Sequence, residues 1–288
     1  MRIDRSRRSD NVEDLRGQGP GGGGGGGMRF GIVGTLVAIA AAWFFGIDPR
    51  VILGLMQATE QVAPSSQPEV QSGTPTDAAG GFVAAVLGDT EDTWGEIFRA
   101  GGEQYPPPKL VLFSNAVQSG CGRASSGAGP FYCPADQKVY IDLAFYRELE
   151  TRFKAPGDFA QAYVLAHEVG HHVQTVLGTS EKVRAAQSRA SEADRNRLQV
   201  LMELQADCYA GIWANHANRS RQILESGDIE EALGAAAAVG DDTIQKRMQG
   251  YVEPESFTHG TAQQRMTWFK RGLDAGTLDA CDTFRAGG

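Results

Sequence analysis

Residues 163–174 read Tyr163-Val164-Leu165-Ala166-His167-Glu168-Val169-Gly170-His171-His172-Val173-Gln174. His167 and His171 stand four apart, and positions i and i+4 of an α-helix are neighbours on one face. Two imidazoles so placed can reach a single ion, and Glu168 between them can lean toward the open coordination position. Flanking signals support a helix here, since Pro156-Gly157-Asp158 offers a capped start and Gly178 a stop. Along it Tyr163, Val164, His167, Gly170, His171 and Gln174 share a side. Ala166 and Val169 suit a buried, rigid helix, and Gly170 leaves room for close approach of a metal or substrate. The competing reading is a helix whose histidines merely pack. The chain has only five histidines in 288 residues, so chance produces this pattern on the order of one time in a hundred.

A catalytic zinc takes three protein ligands and keeps one position for water. The candidates for the third are Glu203, Asp207, His172, His216 and His259. His172 points about 100° around the helix from His171, so it faces elsewhere. Glu203 and Asp207 are four apart within Glu203-Leu204-Gln205-Ala206-Asp207, on a second long helix expected from Ser191 to Ala217. One carboxylate can ligate while the other accepts the free N–H of a ligand histidine. Ala206 and Ala210 keep that face thin enough to approach the first helix. His216 reads as structural, and Tyr209 as core.

The net charge of −8 argues against a nucleic-acid partner. Residues 1–29 mix arginines and acids with an unbroken run from Gly21 to Gly27, the composition of a disordered tail. Residues 30–47 then run without a charge, near the lower length limit for a membrane span. Arginines on their N-terminal side keep the tail cytoplasmic and send the rest outward. A cleaved signal peptide, a twin-arginine signal at Arg7-Arg8 and a buried core helix are the alternatives. Residues 48–80, rich in Gln, Pro, Ser and Thr, read as a linker, and residues 81–288 as the folded domain. There, 89–100, 156–178, 191–217, 230–239 and 263–273 are helical, while 109–117 and 138–141 read as strands. The fold class is therefore mainly α with a small antiparallel β-sheet. Cys121 and Cys133 flank a Gly/Ser/Pro-rich stretch suited to a disulfide-closed loop, and Cys208 and Cys281 are candidates for a long-range pair. Four cysteines allow three pairings, and free buried thiols are the other reading.

The segments 166–174 and Glu203-Leu204-Gln205-Ala206-Asp207-Cys208-Tyr209-Ala210-Gly211 resemble those of the neutral zinc metallopeptidase family of bacterial membrane proteins. So do Ser9-Asp10-Asn11-Val12-Glu13-Asp14 and Thr258-His259-Gly260-Thr261-Ala262-Gln263-Gln264-Arg265. The resemblance covers nearly the whole chain, and the Glu-x-x-Ala-Asp segment is also similar to that of integral-membrane gluzincins. It implies a zincin-like domain holding one Zn²⁺, with Glu203 as third ligand and Asp207 behind it. It further implies that His259 donates to the oxyanion of a tetrahedral intermediate and that Arg265 braces Asp207 or Glu203. By analogy with other zincins, residues 138–141 are the edge strand that pairs with an extended substrate.

These readings imply a peptidase acting on a peptide or protein substrate, with Glu168 as general base, anchored by one inner-membrane span with its domain outside the cytoplasm. Two alternatives stay open: a catalytically silent, zinc-stabilised interaction module, and a zinc hydrolase of a non-peptide amide such as a cell-wall cross-link. Retention of Glu168 favours catalysis, since a structural zinc needs no base there.

Overall fold

The computed structural model describes residues 1–3, 6–17 and 71–285. Met1–Gly17 and Gln71–Gly288 belong to one compact unit. It is mainly helical, with a five-stranded sheet and a separate two-stranded hairpin.

The sheet is mixed, where the sequence suggested an antiparallel one. Its strands are β1 (Val12–Asp14), β2 (Gln71–Ser72), β3 (Lys109–Phe113), β6 (Phe131–Cys133) and β7 (Lys138–Asp142), in the order β2-β1-β3-β7-β6. The central pairs β1–β3 and β3–β7 are parallel, and the outer pairs β1–β2 and β6–β7 antiparallel. The parallel centre matches its composition: Leu110, Val111, Leu112, Val139 and Ile141 are fully buried, as strands covered on both faces require. Between β3 and β6 lies the hairpin β4 (Ala116–Ser119) and β5 (Gly122–Ser125). The Cys121–Cys133 disulfide ties the hairpin to β6.

Strand β1 corrects the expectation of a disordered tail over 1–29, as far as its residues are described. Helix α1 (Ala78–Ala100) explains why the segment docks. It carries Gly80, Gly81 and Gly88 on one side, and a Cβ at Gly88 would lie 2.4 Å from the carbonyl oxygen of Arg7. The bare helix face thus admits the backbone of residues 7–9, and Ser9 donates its N–H to Ala84 O at 2.8 Å. Arg7 pairs with Glu91 and Asp92, and Arg16 with Asp14 and Asp77. Helix α1 also begins at Ala78 and β2 at Gln71, so the folded domain starts before residue 81. Asp77 caps the helix through Gly80 N–H, a signal hidden in a polar stretch.

The expected span at 30–47 lies outside the described residues. Among those described, no helix is long and apolar enough to cross a membrane. The pairing of β1 with β3 places Met1–Gly17 in the same compact unit as the residues from Gln71 onward.

The remaining helices are α2 (Ala144–Thr151), α3 (Asp158–Val176), α4 (Thr179–Gln187), α5 (Glu192–Arg221), α6 (Asp228–Ala238), α7 (Asp241–Gln249) and α8 (Ala262–Ala275). Helix α3 carries the His-Glu-x-x-His segment, and its start is capped by Glu231, whose carboxylate accepts Phe159 N–H at 3.0 Å, in place of the expected Asp158. Helices α3 and α5 cross where Gly170 meets Ala206, whose backbone oxygen lies 3.0 Å from a Cβ built on Gly170. The glycine therefore serves helix contact instead of approach of a metal or substrate. Helix α8 packs as closely on α5 through Gly211 and Gly272, which face Phe269 O and Cys208 O. The second disulfide, Cys208–Cys281, fixes the C-terminal turn Leu278–Cys281 to α5. Among the described residues no cysteine is free.

Candidate metal centre

The α3–α5 crossing brings His167, His171 and Glu203 together. Their ligand atoms all lie within 4.8 Å of one another. Glu203 Oε2 stands 3.1 Å from His167 Nε2 and 3.5 Å from His171 Nε2. Ligands at 2.0–2.1 Å on a tetrahedral zinc are about 3.3 Å apart, so these donors fit that ion in spacing and in type, two nitrogens and one carboxylate oxygen. His167 and Glu203 are each 6% exposed, so these two donors sit in a largely dry wall, while His171 is partly open to the cleft.

His167 is held from behind. Its Nδ1 donates to Asp207 Oδ1 at 2.8 Å, which leaves Nε2 free to ligate. Asp207 also accepts Tyr163 O–H at 2.5 Å and Arg265 through Nε and Nη2, at 2.8 and 2.9 Å. Arg265 therefore braces Asp207 directly. Burial opposes ionisation of Asp207, but Arg265 and His167 overcome it and hold the carboxyl down at about 2. Burial likewise opposes charge on His167, yet Asp207 and Glu203 raise its imidazole to about 9. Glu203 is held well below the usual carboxylate range by His171 and His167.

His171 has a different support, Gln174 Oε1, 2.9 Å from its Nδ1. Glu168 is buried and lines the same cleft, a cavity of about 800 Å³ bounded also by His171, Glu203, His259 and Arg265. His259 reaches this cleft from the loop before α8. Asp241 holds that loop, accepting the N–H groups of Thr258, His259 and Gly260 on one oxygen. Its other oxygen lies 3.2 Å from His259 Nδ1, and this bond raises the His259 pKa. The ring remains half exposed.

His172 and His216 stay outside the site. His172 Nε2 donates to Pro106 O at 2.7 Å and His216 Nε2 to Gly276 O at 2.8 Å. Strand β7, expected at the sheet edge, is internal. The edge beside the cleft is β6, with Phe131 and Tyr132 in the cleft wall. The segment of residues 131–133 is only three long, too short between Pro130 and Pro134 to show a strand's alternation. The roles of Tyr163, Gln174 and Asp241 at the site come from the structure and not from the sequence. Tyr163 precedes His167 by four and Gln174 follows His171 by three, so helical spacing places both on the ligand face but does not assign them a partner. No local signal marks Asp241.

The chain is 49% identical over 292 residues to "Uncharacterized protein YpfJ" of Escherichia coli (strain K12), covering 99% of each. It is 41% identical over 258 residues to "Uncharacterized protein Rv2575" of Mycobacterium tuberculosis (strain ATCC 25618 / H37Rv), covering 85% of each. No solved structure matches the chain. Residues 1–284 match the model of the family described as "Putative neutral zinc metallopeptidase", and with β1, the helices of the candidate site and the His259 loop all inside that match, the chain belongs to this family.

Proposed function

We propose that this protein is a zinc peptidase that hydrolyses peptide bonds with Glu168 as general base. The observation that carries the reading is the convergence of His167 Nε2, His171 Nε2 and Glu203 in a cleft that Glu168 also lines. When bound, zinc supplies Lewis-acid polarisation and lowers the pKa of a coordinated water to about 7. Glu168 takes the proton from the attacking water and delivers it to the leaving amine. His259, oriented by Asp241, donates to the oxyanion that develops on the scissile carbonyl. Asp207 keeps His167 in the tautomer that presents Nε2, and Arg265 keeps Asp207 ionised. An extended substrate pairs with the edge strand β6, which favours a peptide over other amides.

The test compares peptides released from a proteome by the parent and by Glu168→Gln. The variant should retain one zinc and lose about 10²–10⁴ in turnover. Equal activity of the two would remove Glu168 from its role.

For location, the two disulfides support an oxidising compartment outside the cytoplasm. Membrane association through residues 30–47 remains part of the proposal, with both flanks of that segment on the same side. Impermeant thiol labelling of Arg2→Cys and Arg285→Cys in intact cells should mark both; labelling of one alone would oppose this.

A further inference from the structure

The two ligand histidines are supported by opposite chemistry. His167 leans on a charged group, while His171 leans on a file of neutral amides that runs out of the site. His171 Nδ1 is 2.9 Å from Gln174 Oε1. Gln174 Nε2 donates to Met202 O at 2.7 Å and to Gln205 Oε1 at 3.1 Å. Gln205 Nε2 in turn donates to Cys281 O at 3.0 Å. Gln174 is 0% and Gln205 6% exposed, so water does not offer these amides a substitute.

The direction of this file is dictated from its far end. Met202 O and Cys281 O are carbonyls and can only accept. The amide nitrogens of Gln174 and Gln205 must therefore face them, and the oxygen of Gln174 must face His171. An oxygen there accepts, so His171 Nδ1 must carry the proton and Nε2 must be bare toward the metal. Cys281 is in turn fixed to α5 by its disulfide with Cys208, and Thr283, fully buried, donates to Leu201 O at 2.8 Å just beyond it.

We propose that Gln174 and Gln205 are positioning residues for His171, a relay that fixes its metal-binding tautomer against the carbonyl of the disulfide-held C-terminal turn. The proposal rests on the metal-centre reading above. It makes residues 278–283, remote in sequence from both ligand helices, part of the support of the zinc site.

The experiment measures zinc dissociation constants of the full chain by chelator competition, for the parent, Gln174→Met, Gln205→Met and the double variant. Methionine keeps the length of glutamine without its polar ends. Gln174→Met should weaken zinc about 10- to 100-fold, the usual cost of losing a ligand's hydrogen-bond partner. Gln205→Met should weaken it less, and the double variant no more than Gln174→Met alone, because the two act in series. Effects that multiply in the double variant would overturn the relay. So would a Gln205→Met protein that melts lower without metal yet binds zinc as the parent does. Should Gln174→Met fail to fold, nitrogen-detected NMR of the zinc-loaded parent and Gln205→Met decides. The parent should show a slowly exchanging Nδ1 proton on His171 that exchanges faster in the variant, and equal exchange rates would overturn the relay. A parent that binds no zinc refutes the metal centre itself, a result distinct from any of these.

Discussion

Replacing Asp207 with alanine removes an oxygen pair on which three donors converge: His167 Nδ1, Tyr163 O–H and the guanidinium of Arg265. Arg265 is only 3% exposed, so its charge would be stranded. It would also face His167 Nδ1 at 3.3 Å, a donor toward a donor once Nε2 binds metal. Breaking a buried ion pair from one side costs about 3–5 kcal/mol, mostly from the uncompensated charge left behind. Adding Arg265→Met removes that charge, so the double variant should be more stable than Asp207→Ala alone. Zinc affinity should behave differently. Both the single and the double variant leave His167 Nδ1 without its acceptor, and both should bind zinc about 10- to 100-fold more weakly. Urea unfolding in the presence of chelator reads the first quantity, free of any stabilisation by bound metal. Chelator competition reads the second. A double variant as unstable as the sum of the two singles would refute the stranded-charge reasoning. Recovery of zinc affinity along with stability would refute the role of Asp207 toward His167.

The raised His167 pKa of about 9 means that the metal-free site holds a proton at neutral pH, which zinc must displace. Because His171 is raised as well, calorimetric titration at pH 7 in buffers of different ionisation heat should find at least one proton released per ion, and affinity should rise with pH until about 9. At the start of α1, Asp77 is held down at about 2 by Arg16 and the Gly80 N–H. A depressed carboxyl stabilises the fold above its unfolded pKa of about 3.9 and loses that contribution as pH falls toward 2. Asp77→Ala should therefore cost about 1 kcal/mol at pH 7 and progressively less below pH 4, measured by urea unfolding.

The residues of the candidate site were legible because their pattern is local: His167 and His171 share a helix face, and Glu203 and Asp207 share another. The long helices stand close to where the sequence places them, α3 between Gly157 and Gly178 and α5 just after Ser191, whose side chain accepts Asp194 N–H. What escaped the sequence was non-local. The strand Val12–Asp14 gains its place from glycines seventy residues away on α1, and nothing near it announces a pairing partner. The charged, glycine-rich composition of residues 1–29 is an average over the segment and conceals the strand within it. The parallel centre of the sheet likewise depends on a crossover that periodicity does not reveal. The supports of the two histidines divide the same way. Asp207 was found through spacing on a helix, whereas the route from Gln174 through Gln205 to Cys281 joins three segments and is visible only in the fold.

Diffraction at the zinc absorption edge from crystals of the zinc-loaded protein tests the central claim most directly. The account predicts one anomalous peak, about 2.0–2.2 Å from His167 Nε2, His171 Nε2 and a Glu203 carboxylate oxygen. A principal peak elsewhere, for example at Asp158, Asp228 and Glu231, the other described group able to hold an ion, would contradict it.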